Sequence, residues 1–262
     1  GIRVEKVLLA SSNQAMDALA RGDVDVTAVS MLPVLAAQTV DPDKVKVFSL
    51  TALTNEAPFD MVVIKQDGPI QNLADLAGKK IGVYPGTSAT NFLREYLKRQ
   101  NVDVSKIEFV QLPPQNQLAA LESGSVVALD MYEPGLTVAR EKGGLRPLTQ
   151  SVFATMFPET PIATHGISAK FLQENPMLAD KAVRAVEQAI LFMNTDDTGT
   201  RAVVAKEFNI DPAIVAKMSM LKYKTFDEEP AGFLDSFVDL VLTLGELKTK
   251  PDISRMIYRH PS

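Results

Sequence analysis

The chain has 262 residues, of which 46% are hydrophobic and 23% are charged, and its formal net charge is −5. This length allows one large domain or two smaller lobes, each with its own core. Mild acidity without a basic run argues against nucleic acid or an anionic membrane as the main partner. The absence of cysteine excludes disulfides, thiolate metal sites and cysteine nucleophiles. The only two histidines, His165 and His260, are far apart in sequence, which disfavours a histidine metal site.

No apolar run reaches the roughly 18 residues that a membrane-spanning helix needs. The first residues, "GIRVEKVLLASSNQ", lack a basic segment followed by an apolar one, so we expect any secretion signal to belong to a precursor. A chain without cysteine suits an exported bacterial protein.

Strand-like and helix-like segments alternate through the first half of the chain, which predicts a mainly parallel sheet with helices on both faces. The predicted strands are 3–9, 24–30, 44–53, 59–65, 80–84, 106–112, 126–132 and 162–168. The helices predicted between them are 11–22, 31–40, 88–101, 114–124 and 133–143, and one or two helical turns are predicted within 72–79.

The second half is predicted to be mostly helical, over 177–194, 200–208, 212–219 and 231–247. In the last of these helices, apolar residues recur at i, i+3 and i+4 spacing, which is typical of a stripe that packs on the core. The stripe consists of Leu234, Phe237, Val238, Val241 and Leu244.

Two segments of the chain resemble one another. "NQAMDALARGDVDVTAVSMLP" aligns with "QNQLAALESGSVVALDMYEP" so that Gly22 falls on Gly124, 102 residues later. Each copy is predicted to form a helix, a tight glycine turn, a strand and a second short helix. This spacing is too long for a solenoid repeat and indicates two similar α/β lobes.

Three stretches resemble the substrate-binding proteins of ABC importers. They are "ASSNQAMDALARGDVDVTAVS", the segment from "NLADLAGKKIGVYPGTSATNFL" to "LAALESG", and "MYEPGLTVAREKG". More narrowly, the chain is similar to the nitrate, sulfonate and taurine group and to the thiamine-precursor group, the NMT1/THI5-like proteins. The likeness covers about residues 1–175 and does not specify the ligand.

The resemblance implies an α/β, two-lobed fold of the type II periplasmic-binding class. Each lobe would be a mostly parallel sheet flanked by helices, with the ligand in the cleft between the lobes. Lobe one would comprise 1–64 and 162–262, including a helical C-terminal tail, and lobe two would comprise 65–161. The crossover strands would be "FDMVVIK" and "TPIATHGIS". An N-terminal strand–helix unit that such proteins carry is expected to be missing from this sequence.

In open α/β sheets, ligands bind beyond the carboxyl ends of the strands, at helix N-termini. Loops in such places contain hydroxyl, glycine and other polar residues that could contact a ligand. The candidate ligand-binding residues are Ser11, Ser12, Ser30, Met31, Gly86, Thr87, Ser88, Tyr132, Glu133 and His165.

Each candidate also has a structural interpretation that the sequence leaves open. The serines and threonine could only cap helices, Tyr132 could be core, and Glu133 could simply begin a helix. His165 could be a hinge residue whose hydrogen bonds are already satisfied, and Asp60 on the other crossover could serve either role. No arginine lies in these loops, which weakens the case for an anion. In the absence of tryptophan, ring stacking would depend on Phe59, Tyr84 or Tyr132.

These observations predict a carrier that captures a small polar or anionic organic molecule and delivers it to a membrane permease. The sulfonate, taurine, nitrate, carboxylate and pyrimidine classes all remain open. No cofactor and no metal are expected, the protein is expected to be a monomer, and its location would be periplasmic, or exported and membrane-anchored. The alternatives are the ligand-sensing domain of a regulator and a pyrimidine-precursor enzyme of the same fold. No common catalytic motif occurs, which disfavours an enzyme.

Overall fold

The computed structural model describes residues 1–9, 11–85, 87–226 and 232–260, and for Thr87 it describes the backbone only. The chain divides into two compact units. The first comprises Gly1–Ala52, Pro161–Asp197 and Lys222–Ser262, and the second comprises Leu53–Thr160 and Thr198–Leu221. The chain therefore passes between the units four times, within strands at 52/53 and 160/161 and again at 197/198 and 221/222. None of the described helices is both long and apolar enough to cross a membrane.

The first unit contains a mixed set of strands and helices. Its strands are β1 (Val26–Ser30), β2 (Val45–Val47), β3 (Ser49–Leu53), β9 (Thr160–Ser168) and β10 (Lys222–Thr225). Its helices are α1 (Ser12–Arg21), α2 (Met31–Gln38), α7 (Ala169–Glu174), α8 (Pro176–Thr195) and α11 (Phe233–Thr243), with a short 3-10 helix at Ile253–Arg255.

The first sheet differs from the expected parallel sheet. Its strand order is β1-β9-β3-β10, with β2 also paired to β9. The pairs β1–β9, β2–β9 and β10–β3 are all antiparallel. The alternation of strands and helices does not reveal this arrangement, because the long strand β9 returns from the second unit and inserts between β1 and β3. The prediction of a mostly parallel sheet is wrong for these pairs.

The second unit is built around a sheet of order β6-β5-β7-β4-β8. Its strands are β4 (Asp60–Lys65), β5 (Lys80–Val83), β6 (Glu108–Gln111), β7 (Ala128–Tyr132) and β8 (Leu145–Pro147). Its helices are α3 (Thr87–Arg99), α4 (Pro114–Glu122), α5 (Gly135–Lys142), α6 (Val152–Met156), α9 (Asp197–Phe208) and α10 (Pro212–Val215), with 3-10 turns at Leu73–Leu76 and Val104–Lys106.

This second sheet is parallel only at its centre. Strand β5 pairs in parallel with both β6 and β7, whereas β4 pairs antiparallel with β7 and β8. The predicted crossover "FDMVVIK" forms β4, which lies wholly within this unit, so the first passage between units falls instead in β3.

Residues 198–221 pack with the second unit, whereas the sequence assigned them to lobe one. Helix α10 contacts α5, and the Lys217 ammonium pairs with the Glu141 carboxylate. The Ser219 backbone N–H also donates to a Glu133 carboxylate oxygen at 3.4 Å.

Two local predictions at the level of single segments are wrong. Residues 3–9 form no strand, and the side chains of Val4, Val7 and Leu8 are exposed. The segment 44–53 forms two strands rather than one, with Phe48 between them. In each case a short apolar pattern fits more than one local structure. The single helical turn predicted as the shorter possibility for 72–79 is present as a 3-10 turn at Leu73–Leu76.

The internal repeat corresponds to the same structural unit in both halves, α1–β1–α2 and α4–β7–α5. Gly22 and Gly124 both adopt left-handed backbone with φ of 73° and 79°, which glycine tolerates and other residues avoid. The core stripe predicted for the last long helix is also present, since Leu234, Phe237 and Val241 are buried in α11.

The last described residues of the first unit lie along β2 and α8. The Tyr258 N–H donates to the Val47 carbonyl at 2.8 Å. The Nδ1 atom of His260 lies 2.6 Å from Asp180, and its Nε2 atom lies 2.9 Å from Glu187. Since both ring nitrogens face carboxylates, the imidazole satisfies both contacts only when it is doubly protonated. These carboxylates raise the pKa of His260, above all through the hydrogen bond to Asp180.

Candidate ligand-binding site

The two loops of the second unit that carry predicted ligand residues meet at one edge of its sheet. Because β5 and β7 are parallel neighbours, their carboxyl ends lie together. Tyr84 follows β5 and Tyr132 ends β7, and their rings contact edge to face with centroids 5.3 Å apart. Tyr84 is 43% exposed, so part of this aromatic pair faces solvent. This edge is the candidate ligand-binding edge of the second unit.

The turn between β5 and α3 contributes polar groups to the same edge. Thr87 is the first residue of α3, and Ser88 follows in the first turn, partly buried and engaged in an interaction. The first N–H groups of a helix lack partners within the helix and favour an anion or a polar ligand. Gly86, and the Thr87 side chain, lie outside what the structure describes.

Tyr132 also belongs to a larger aromatic cluster. Its ring lies 6.2 Å from that of Phe153 in α6, which packs at 4.5 Å against Phe92 in α3. Phe92 and Phe153 are buried, so the cluster connects the candidate edge to the core under α3. The expectation that Tyr84 and Tyr132 could supply stacking surface therefore fits their positions.

Glu133 is buried, and its carboxylate accepts three hydrogen bonds from the protein itself. The Thr137 N–H donates at 3.0 Å, the Thr137 hydroxyl at 2.8 Å, and the Ser219 N–H at 3.4 Å. The interpretation of Glu133 as the beginning of a helix accounts for the two contacts with Thr137, because they satisfy the first turn of α5. Little acceptor capacity remains for a ligand.

In the first unit, the predicted residues of two loops also contact one another. The Ser12 hydroxyl lies 2.8 Å from that of Ser30. Ser11 caps α1 by accepting from the Gln14 N–H at 3.2 Å, and Met31 is buried. The capping role left open for Ser11 is therefore real, while Ser12 connects the start of α1 to the end of β1.

His165 lies in β9, where its Nδ1 atom and its backbone N–H both contact Ser49 of the same unit. Its Nδ1 atom is 2.7 Å from the Ser49 hydroxyl, and its backbone N–H donates to the same oxygen at 3.2 Å. The ring stacks on Phe48 with centroids 5.9 Å apart. Burial lowers the pKa of His165 to about 4, so its imidazole is neutral at physiological pH. The contact with Ser49 agrees with the hydrogen-bonded state expected of a hinge histidine, while the hinge and ligand roles of His165 remain predictions.

Sequence reasoning missed one member of the site region, Asp130, and did not assign a role to Asp60. Both are fully buried on the face of the second sheet that also carries Tyr132. The Tyr132 hydroxyl donates to Asp130 at 3.2 Å. The available signal was an acid inside the apolar strand "VVALDMY", since a charged residue inside such a strand calls for a specific reason.

Metal binding finds no support among the described residues, which contain no group of three or more histidine or carboxylate side chains placed to hold an ion. The candidate edge instead offers aromatic faces, hydroxyls and helix N–H groups. Such groups suit the binding of a small molecule, and the residues described at this edge include no nucleophile paired with a base.

Known proteins resemble this chain in fold. The periplasmic aliphatic sulphonate binding protein SsuA from Escherichia coli aligns with a TM-score of 0.76 at 20% identity, covering 97% of this chain and 81% of that chain. A variant of DSZB in complex with biphenyl-2-sulfinic acid aligns with a TM-score of 0.70 at 17% identity, covering 94% and 86%. A second similar structure identifies DSZB as a desulfurization enzyme. These likenesses show the fold, and the fold serves binding proteins and an enzyme alike.

Sequence comparison identifies the family as well as the fold. A relative from Brucella abortus strain 2308 is 25% identical to this chain over 209 residues. That relative is named as a binding protein. These residues are 76% of this chain and 65% of the relative, so the chain spans less than two thirds of that relative's length. The sequence model of the family described as NMT1/THI5 like matches residues 1–198, which is well over half of the chain. The chain therefore belongs to the NMT1/THI5-like family.

Proposed function

We propose that the chain is the solute-binding component of an ABC importer, which captures a small polar or anionic organic molecule and delivers it to a membrane permease. The observation that carries this proposal is the meeting of the β5–α3 turn and the end of β7 at one sheet edge, in a chain of this family. The protein would act as a monomer in the periplasm, or exported and membrane-anchored. Catalysis is not part of the proposal, because the candidate edge offers binding groups without an activated nucleophile.

The same edge supports an order in which classes of ligand should be tested. Helix N–H groups and hydroxyls suit a sulfonate, nitrate or carboxylate, and the Tyr84–Tyr132 pair suits an apolar or planar portion of the same molecule. The name of the relative from Escherichia coli supports aliphatic sulfonates as the first class to test. Taurine and pyrimidines form the second and third classes.

A ligand screen by unfolding tests the proposal. A solute that binds only the folded chain, present at 100 times its Kd, should raise the free energy of unfolding by roughly 2.7 kcal/mol. We expect at least one of ethanesulfonate, taurine, nitrate, benzoate and a simple aminopyrimidine to do so in urea titrations. If none of these solutes stabilises the chain at millimolar concentration, the proposal is contradicted.

Tyr84→Ala is expected to weaken binding of the stabilising solute by about tenfold, because it removes the exposed half of the aromatic pair. Its effect on stability should be small, since Tyr84 is 43% exposed. The matched control is Phe208→Ala, an exposed aromatic residue of α9 in the same unit. Isothermal titration calorimetry should find equal affinities for the control and the unmodified chain. Equal affinity for the Tyr84 variant would show that this edge is not the ligand site.

A further inference from the structure

Two carboxyl groups lie on one buried face of the second sheet, next to Tyr132. The register pairs Asp60 of β4 with Tyr132 of β7, and Val62 with Asp130. Because side chains alternate along a strand, Asp60, Asp130 and Tyr132 share a face, and the two carboxyl groups are diagonal neighbours across the strand pair. Their residues are 0% and 1% exposed. The two groups therefore interact across a medium that contains almost no water.

The partners of the two carboxyl groups are unequal. Asp60 accepts hydrogen bonds from the Ser151 hydroxyl, from the Val152 N–H at 2.8 Å and from the Phe153 N–H at 3.3 Å. Asp130 accepts only from the Tyr132 hydroxyl among the described residues, through Oδ2, and its Oδ1 atom has no donor. A buried carboxylate oxygen without a donor is costly, whereas the same oxygen carrying a proton is not charged. The contacts thus place the negative charge on Asp60 and the proton on Asp130.

No cation compensates the pair within the described part of the chain, where neither Asp60 nor Asp130 forms an ion pair. Asp130 interacts with two other titratable groups, Asp60 and Tyr132. Tyr132 interacts with both aspartates and with Tyr84. Burial raises the pKa of Asp60 to about 6. Burial and the nearby charge of Asp60 raise the pKa of Asp130 well above its usual range.

The helices packed over this face direct their charges elsewhere. Helix α6 has no charged residue in its sequence "VFATM". In α3, the Arg94 guanidinium lies 4.6 Å from the centre of the Phe109 ring, and Glu95 pairs with Arg99. The protonation of Asp60 and Asp130 therefore depends mainly on their burial and on the repulsion between their two carboxyl groups.

We propose that Asp60 and Asp130 hold one proton between them at neutral pH, and that this proton keeps Tyr132 in the position at which it serves the ligand site. The second half of this statement rests on the proposed function. Loss of the proton places two neighbouring carboxylates in a low-dielectric interior, where like charges repel strongly. This repulsion is relieved when water enters or when the Asp130 side chain moves. Because the Tyr132 hydroxyl is hydrogen-bonded to that side chain, either change displaces Tyr132. Asp60 and Asp130 are thus positioning residues, and ligand affinity should fall as pH rises.

The first test needs no ligand. The chain is labelled with ¹³C in its tyrosine rings, and the Tyr132 signal, assigned through Tyr132→Phe, is followed by NMR from pH 5 to 9. We expect it to titrate in the unmodified chain, although the Tyr132 hydroxyl itself does not, because its own pKa is raised well above 10. In Asp130→Asn, an uncharged mimic of the protonated acid, the titration above pH 7 should be absent, and only a response to Asp60 near pH 6 should remain. In Asp60→Asn, the titration should move to lower pH, since the repelling charge is gone.

The second test measures affinity for ethanesulfonate, whose charge does not change over this pH range. The unmodified chain should lose about fivefold or more in affinity between pH 6 and pH 9. Asp130→Asn should keep its affinity between pH 7 and pH 9, where Asp60, with a pKa of about 6, is already ionised. Asp67→Asn, at an exposed carboxylate of the same unit, should follow the unmodified chain. Failure of ethanesulfonate to bind while the Tyr132 signal titrates would count against the sulfonate ligand and leave the shared proton supported. A Tyr132 signal that is constant with pH, or that titrates equally in Asp130→Asn, would overturn the inference.

Discussion

Phe92→Ala should lower the free energy of unfolding of the second unit by about 3–5 kcal/mol, the usual cost of deleting a fully buried ring. Phe92 is 1% exposed, and its ring lies 4.5 Å from that of Phe153, so the substitution removes the contact between α3 and α6. Helix α3 begins at the candidate residues Thr87 and Ser88. Ligand affinity should therefore fall together with stability.

Urea unfolding at neutral pH measures this effect. Phe92→Leu should cost clearly less, because it leaves a smaller cavity. Phe208→Ala is the matched control, and at 71% exposure it should change stability by no more than about 0.5 kcal/mol. A loss below about 1 kcal/mol for Phe92→Ala would mean that α3 is held by contacts other than this aromatic stack.

The sequence predicts the long, strongly patterned elements well and the pairing of strands poorly. Helix α3 and strand β9 lie where their patterns place them, and the repeated helix–glycine–strand unit is present in both halves. Strand direction depends on which distant strand becomes a neighbour. No local pattern contains that information, so the insertion of β9 between β1 and β3 could not be foreseen.

In the candidate site, too, the sequence predicts local features well and contacts between distant residues poorly. Strand–turn–helix chemistry identified the loops at Ser12, Ser30 and Tyr132, and the structure brings Ser12 to Ser30 and Tyr132 to Tyr84. The ligand roles of these residues remain predictions. Two of the hydrogen bonds that Glu133 accepts come from nearby Thr137, and sequence could not show the third, because its donor Ser219 lies 86 residues away. It also could not show that Asp130 lies beside Asp60, since that contact depends on the antiparallel register of β4 and β7.

Acidification from pH 7 to pH 4 is expected to destabilise the first unit through His165. Burial lowers the pKa of this residue from 6.5 to about 4, so unfolding takes up a proton between these values. The contribution of the neutral imidazole is complete above pH 6.5 and is lost as pH falls through the folded pKa. At 1.36 kcal/mol per pKa unit, the loss is on the order of 3 kcal/mol. The elevated pKa of His260 acts in a separate window, above pH 6.5, where stability is lost as pH rises.

The same change in pH should stabilise the second unit through Asp60. Burial raises the pKa of this residue from 3.8 to about 6, so the folded state holds a proton that the unfolded chain releases. Its contribution is complete below pH 3.8 and is lost as pH rises through 6, a change again on the order of 3 kcal/mol. Asp130 shifts in the same direction and adds to the trend. The two units therefore respond to acid with opposite signs.

Native-state hydrogen exchange with mass spectrometry resolves the two responses, with rates corrected for intrinsic exchange at each pH. Between pH 7 and pH 4, amides of residues 163–168 should lose protection, and amides of residues 128–132 should gain it. His165→Gln should remove the first trend and leave the second. Asp60→Asn should leave the first trend and weaken the second, of which buried Asp130 keeps a part. If both segments shift in the same direction, or if neither variant changes its own unit, burial of these two groups does not control the pH dependence of the fold.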